Sequence, residues 1–304
     1  MGRPATAGDF SGKRAGGRVD QAIDSQSLPK MAIGRARGGR ETQQDAVACM
    51  HDPTTDTRLL VLADGMGGDG AGELAANGVI KAARQLWIRA QWRHQPGSFF
   101  LETLCQEAHA ELIRRREGLR AGEPHSTVVA LLLRGKQAYW AHVGDSRLYR
   151  FQGRRCLGRT LDHSLSQCKL ERGEITPAQL ASDSDQHVLL RGLGGEQPPV
   201  VEHGSARLRP GQSFALCSDG VWAWLSTQEL RRLSLRRDQT DALHEALLLA
   251  TSRGGEAGDN AALILVQVGG GWMRRCGERL REALRPTYGQ HAIDDSTLTD
   301  NGNP

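Results

Sequence analysis

Two short apolar runs in this chain end in the same way. Leu59-Leu60-Val61-Leu62-Ala63 runs into Asp64-Gly65, and Ser213-Phe214-Ala215-Leu216-Cys217-Ser218 runs into Asp219-Gly220. Each reads as a buried strand whose last residue is an aspartate, stopped at once by glycine. A carboxylate at the end of a buried strand is costly unless a cation offsets it. A third apolar run, 261–268, begins just after Gly258-Asp259-Asn260. Three aspartates thus stand at three strand ends, distant in sequence and able to converge in space. A fourth carboxylate, Asp45, opens the run Ala46-Val47-Ala48-Cys49-Met50. A single Asp-Gly is also a common turn signal, but a turn has no reason to recur beside each buried run. Shared carboxylates of this kind build a hard-cation site that could seat a pair of Mg²⁺ or Mn²⁺ ions, and they point to metal-assisted chemistry. Histidine and cysteine are absent from these positions, which argues against zinc.

The rest of the chain limits what such a site can belong to. With 304 residues, 38% hydrophobic and 24% charged, it has the composition of an ordinary globular protein. A formal net charge of +4 is too small to argue for a nucleic-acid partner. There is no 18-residue apolar run to predict a transmembrane helix and no apolar signal-peptide core, so a cytoplasmic protein is expected. Six cysteines lie far apart without a CxxC pair and read as reduced thiols, Cys217 as strand packing.

Residues 1–30 are rich in Gly, Ser, Arg and Asp without periodicity and are expected to be a disordered extension, with Met31 a possible start. Residues 31–268 carry an α+β pattern. Strands are predicted at 45–50, 57–64, 127–134, 137–143, 146–151, 213–218 and 261–268. Helices are predicted at 71–92, 98–117, 227–236 and 239–252. The short Gly135-Lys136 connection favours antiparallel meanders with helices packed outside. Residues 163–187 are polar and weakly patterned and suit a mobile flap beside a site. Residues 269–304 divide into a glycine linker, a basic amphipathic helix at 272–285 stopped by Pro286, and a disordered tail. That helix is expected to pack on the preceding domain, or, as a second reading, on a membrane surface or partner.

Seven motifs, in order, carry a family resemblance. Arg40-Glu41-Thr42-Gln43-Gln44-Asp45 resembles the Arg-x-x-Asn-Gln-Asp opening of the metal-dependent protein phosphatases of type 2C. Asp64-Gly65-Met66-Gly67-Gly68 resembles that family's first Asp-Gly motif in its bacterial form, and Ser126-Thr127 its Gly-Ser-Thr segment. His142-Val143-Gly144-Asp145-Ser146-Arg147 is similar to its Val-Gly-Asp-Ser-Arg motif. Asp162-His163-Ser164, Cys217-Ser218-Asp219-Gly220-Val221-Trp222 and Gly258-Asp259-Asn260 complete the set. The resemblance spans residues 31–268 and implies a catalytic domain of four layers, αββα: two antiparallel sheets packed as a sandwich flanked by helices.

The resemblance also implies roles. Asp64 would bridge two Mn²⁺ or Mg²⁺ ions, with the Gly65 carbonyl as a further ligand. Asp219 and Asp259 would hold one ion and Asp45 the other, while Asp145 with Asp219 would bind a weaker third. Arg40 would grip the substrate phosphate through its planar fork. A hydroxide bridging the two metals would attack phosphorus in line. The implied activity is hydrolysis of phosphoserine and phosphothreonine in proteins by a monomer, opposing a bacterial Ser/Thr kinase. A catalytically weak regulatory or phosphoprotein-binding module of the same fold is the alternative, and a hydrolase of small phosphate esters is a third reading.

Four positions depart from the family pattern: Gln43 for Asn, Met66 for a proton-donating histidine, His125 for Gly and Ala262 for Thr. None removes an implied metal ligand, but a thioether cannot donate a proton, so water or another residue must serve. His163 and Arg147 are expected to be structural, Trp222 and Trp224 to pack in the core, Arg114-Arg115-Arg116 to be a solvated helix end, and Gly65, Gly67, Gly68 and Gly70 to form turns.

Overall fold

The computed structural model describes residues 23–28, 30–116, 122–180 and 183–269. The expectations for 1–22, for the basic segment 272–285 and for the tail lie outside the described residues. The apolar runs become strands because both of their faces are buried. In β4 (Thr57–Met66), Leu60 and Leu62 enter one apolar cluster while Leu59, Val61 and Ala63 enter another. A strand enclosed in this way shows no polar alternation and reads as a continuous run.

One sheet has the order β1-β2-β12-β11-β8-β9, with β1 (Ile23–Leu28), β2 (Met31–Ala36), β8 (Arg147–Gln152), β9 (Arg155–Arg159), β11 (Gln212–Cys217) and β12 (Ala261–Gln267). The other is β10-β7-β6-β4-β3, from β3 (Asp45–Asp52), β4, β6 (Val128–Arg134), β7 (Gln137–Val143) and β10 (Glu202–Arg207). Short β5 (His125–Ser126) pairs with the end of β4. Every pairing is antiparallel.

Between the sheets lies an apolar layer that includes Ile33, Leu60, Leu62, Leu131, Phe214, Leu216 and Ile264. The outer face of the second sheet is covered by α1 (Ala71–Ile88) and α2 (Gly97–Arg116), which bury Val79, Leu86, Phe100, Leu104 and Leu112 at helical spacing. The outer face of the first is covered by α4 (Asp219–Trp222), α5 (Thr227–Ser234) and α6 (Gln239–Gly254). The architecture is the four-layer αββα sandwich. A Ser226/Glu229 capping box starts α5, and the Asp238 carboxylate accepts from the Thr240 and Asp241 amides to start α6. Among the described residues no helix is long and apolar enough to cross a membrane, and the five described cysteines are free thiols.

Several expectations change. Ile23–Leu28, inside the segment expected to be disordered, is a strand paired residue by residue with β2. An edge strand draws its order from main-chain pairing and needs little apolar content, so its sequence hides it. The same holds for the unexpected β9 and β10, with exposed, polar alternation at sheet edges. β2 and the two-residue β5 were also outside the predicted strands. The helix expected to reach residue 92 ends at Ile88, because Ala90 turns left-handed at φ 56° and a 3₁₀ turn follows over Gln91–Arg93. The 163–187 segment contains α3 (Leu165–Glu171), which is capped by the Ser164 hydroxyl accepting from the Gln167 amide.

Candidate metal centre

The carboxylates converge through three different backbone devices. Asp45 and Asp64 stand directly opposite each other where β3 pairs with β4, which places them on one face. Like charges directly opposite are unfavourable in a sheet that serves only to fold. Asp219 is the first residue of α4, separated from β11 by Ser218 alone, and Asp259 lies two residues before β12. Asp145 sits in the turn between β7 and β8. Asp64 is therefore not the end of its strand, because β4 continues through Gly65 and Met66 by pairing with β5.

Neither Asp-Gly glycine has the left-handed backbone of a turn. A Cβ on Gly65 would lie 1.9 Å from the Gly72 carbonyl oxygen, and one on Gly220 would lie 2.0 Å from that of Asn260. Close backbone approach, where α1 and β12 press on the site, is what demands glycine there. The turn reading holds for Gly67 and Gly70, at φ 139° and 81°.

Asp64, Gly65, Asp145, Asp219, Asp259 and Arg40 line one open pocket of about 540 Å³. Asp45 lies behind its wall, 1% exposed. Its Oδ2 accepts from the Ser218 hydroxyl at 2.8 Å, while its Oδ1 is buried without a hydrogen-bond partner. Burial pushes the Asp45 carboxyl well above the usual range; the Ser218 bond opposes this, and Asp219 and Asp259 add to it. Burial likewise raises Asp64, helped by the charges of Asp45, Asp219, Asp145 and Asp259. Burial and Asp219 push Asp145 up to about 8. Of the neighbouring guanidinium groups, Arg40 pairs with Asp259, while Arg35 and Arg147 are committed elsewhere. Arg35 Nη1 donates to the Asp45 carbonyl, and Arg147 grips Asp162 with two bonds. Buried, mutually repelling carboxylates with an orphaned oxygen form an all-oxygen donor set, and it fits hard divalent cations.

A hydrogen-bond frame holds these groups. The Ser126 hydroxyl and the Thr127 amide both donate to the Asp64 carbonyl, and the Asp64 amide donates to Thr127 Oγ1. Asn260 ties the 37–44 loop to β12: its Nδ2 donates to the Arg37 and Thr42 carbonyls, and its Oδ1 accepts from the Gln44 amide. Gln43 Oε1 accepts from the Asp45 amide at 2.9 Å. Ser218 bridges Asp45 to β12, accepting from the Ala262 amide. In this role a backbone N–H is used, and the Ala262 side chain packs between the sheets. The Asp145 turn is clamped by Trp222 Nε1 donating to its carbonyl.

Arg147 stacks 3.6 Å over the Trp222 ring, which bears out its structural reading. His163 is structural as well, since its Nδ1 accepts from the Gly144 amide at 3.1 Å. That bond leaves the ring proton on Nε2. His163, stacked on His142 beside Glu202, therefore cannot offer a metal the Nε2 lone pair that this three-residue cluster would need.

Arg40 reaches the pocket with its Nη2 on Asp259 Oδ2 at 2.7 Å and its side chain 56% exposed. Trp222 packs in the core as expected. Trp224 does not: it is 39% exposed and forms part of the pocket wall, because α4 is a single turn and its end faces the opening. Ser218, Asn260 and His187 were not singled out by the sequence. Ser218 adjoins Asp219, and Asn260 adjoins Asp259, so adjacency was the available signal. His187 had only its place at the end of the 163–187 segment expected beside a site, and it does line the pocket. Its Nδ1 lies 3.5 Å from Asp219 Oδ2, and that contact raises its pKa.

The family model described as Protein phosphatase 2C matches residues 35–257. The serine/threonine phosphatase stp of Listeria monocytogenes is 29% identical over 213 residues, covering 69% of this chain and 84% of that protein. The serine/threonine protein phosphatase PstP of Mycobacterium tuberculosis is 30% identical over 221 residues, covering 69% of this chain and 40% of that protein. The crystal structure of the M. tuberculosis phosphatase superposes with a TM-score of 0.67 at 26% identity, covering 82% of this chain and all of that one. A PstP catalytic domain in complex with two manganese ions gives 0.65 at 27% identity, with the same coverage.

Proposed function

The chain belongs to the protein phosphatase 2C family, and from that premise and the geometry above we propose that it is a divalent-metal-dependent phosphatase of phosphoserine and phosphothreonine in proteins. The observation that carries this reading is the carboxylate cluster itself, five aspartates from separate parts of the chain whose mutual repulsion has no purpose without a cation. Asp64 would be shared between two ions, with the Gly65 carbonyl beside it. Asp219 and Asp259 would complete one ion, Asp45 the other, and Asp145 with Asp219 a weaker third. The chemistry supplied by Mn²⁺ or Mg²⁺ bound there is acidification of water and neutralisation of charge on the phosphoryl oxygens. The complete carboxylate set favours catalysis over the weak-binding alternative.

The protein's own groups would do the rest. Arg40 stands at the pocket mouth with a fork of donors, one already on Asp259, and would orient the phosphate and offset charge on its equatorial oxygens. Ser126 and Thr127 fix the Asp64 backbone, and Ser218 fixes the Asp45 carboxylate, so the ligands would not have to reorganise on binding. The proton for the departing serine or threonine oxygen would come from water or from His187, since Met66, also on the wall, has none to give. Trp224 offers the substrate chain an apolar surface beside the phosphate position.

This reading places the protein in the cytoplasm as a monomer opposing a Ser/Thr kinase. It is tested by phosphate release from a phosphothreonine peptide with Mn²⁺, with EDTA, and with Asp219→Asn. Metal-dependent release that collapses in the variant is expected. Undiminished release by Asp219→Asn refutes the site, and no release from folded protein with any metal favours the binding module.

A further inference from the structure

The proposed chemistry leaves one surface of α6 without a role. A shallow groove of about 750 Å³ runs along the helix, with Arg236, Asp241 and Glu245 at its rim and Leu248 and Leu249 in its floor. Leu248 is 52% exposed, an unusual position for leucine on a helix whose other face is fully buried.

Where the described chain ends bears directly on this groove. Gln267, the last residue of β12, donates from Nε2 to the carbonyls of Ser234 and Arg236, at 3.0 and 2.6 Å. Arg236 is on the groove rim. The polypeptide therefore leaves the sandwich beside the groove, and Gly269-Gly270-Gly271 can extend by about 10 Å at most. The next residues, 272–285, place Trp272, Met273, Cys276, Leu280, Ala283 and Leu284 within an arc of roughly 120° when plotted at 100° per residue. Arg274, Arg275, Arg281 and Arg285 fall outside that arc, and Arg279 borders it. As a helix this stretch would be about 21 Å long, close to the roughly 24 Å of α6.

The charges also match. Asp241 forms no ion pair among the described residues, and Glu245 already attracts Arg232 and Arg236. The N-terminal stretch 1–22 joins β1, whose Ser25 hydroxyl bonds His244 on the groove at 3.0 Å, but it lacks the apolar period that a seated helix needs.

We propose that residues 272–285 fold back as an amphipathic helix onto α6, seating Leu280 and its apolar neighbours on Leu248 and Leu249 and turning arginines toward Asp241 and Glu245. The segment is then an integral fifth layer of the domain rather than a tether to something else.

The test uses the full chain carrying Leu248→Cys, oxidised mildly with copper phenanthroline, with disulfides mapped by peptide mass spectrometry. An intramolecular disulfide between the new thiol and native Cys276 is expected. Adding Leu280→Asp keeps the tether and removes the seat, so the rate should fall about tenfold as the local concentration of the docked segment is lost. Phosphatase activity, unchanged in both variants, reports that they are folded. Ser252→Cys, one turn further along the groove, gives the same comparison if Leu248→Cys does not fold. Equal rates with and without Leu280→Asp overturn the proposal. So do disulfides formed mainly between two chains, or a full chain that binds phosphatidylglycerol vesicles while Leu248→Cys shows no cross-link preference.

Discussion

Replacing Asp64 by asparagine should change stability with opposite sign in the absence and presence of metal. The Asp64 carboxyl is raised by burial and by the charges of Asp45, Asp219, Asp145 and Asp259. A buried carboxylate left without a counter-charge typically costs about 3–5 kcal/mol. Asp64 is partly open to the pocket, so roughly half of that, about 2 kcal/mol, is the expected gain when Asn removes the charge. At about 2–4 °C per kcal/mol for a domain of this size, Asp64→Asn should melt about 5 °C above wild type in EDTA. Saturating Mn²⁺ stabilises wild type by about 2.7 kcal/mol at a hundred times Kd. The variant lacks the shared ligand and should gain little, so the order of melting inverts. Scanning calorimetry of both proteins in EDTA and in millimolar Mn²⁺ measures this. A variant that melts below wild type in EDTA, or gains as much from Mn²⁺, refutes the reading of the cluster as a cation site.

The raised carboxyls also predict a pH dependence. Between the unfolded pKa near 4 and about 8, native Asp145 binds more protons than the unfolded chain, so metal-free stability should fall as pH rises through that window. Melting in EDTA from pH 5 to 8 should show this slope, and Asp145→Asn should flatten it. Arg147→Lys keeps the charge but loses the fork to Asp162 and the stack on Trp222, and should cost about 2–3 kcal/mol in urea unfolding. Gly220→Ala drives a methyl into the Asn260 carbonyl, and a loss of about 3 kcal/mol with most of the Mn²⁺-induced melting shift is expected.

How far the site was legible depended on the kind of signal. Runs such as 59–63 and 213–217 advertise strands buried on both faces, and an aspartate beside each is a chemical anomaly visible without coordinates. The family resemblance supplied the architecture and the roles, which periodicity could not. Polar edge strands such as Ile23–Leu28 and Glu202–Arg207 escaped because main-chain pairing, not side-chain burial, orders them. Trp224 was misread because aromatic residues are usually core, and only the shortness of α4 turns this one toward the pocket.

By itself the sequence determined which groups had to be balanced: four apolar runs too long to leave in water, and carboxylates too close to those runs to remain without a counter-charge. Both are local properties, fixed by composition over a few residues. Tertiary structure alone decided that Asp45 faces Asp64 across one strand pair, that Ser218 holds Asp45, and that His187 lies 3.5 Å from Asp219. These depend on register and on contacts between residues 19, 32 and 173 positions apart. No window along the chain contains them, because they arise only when two sheets close on each other.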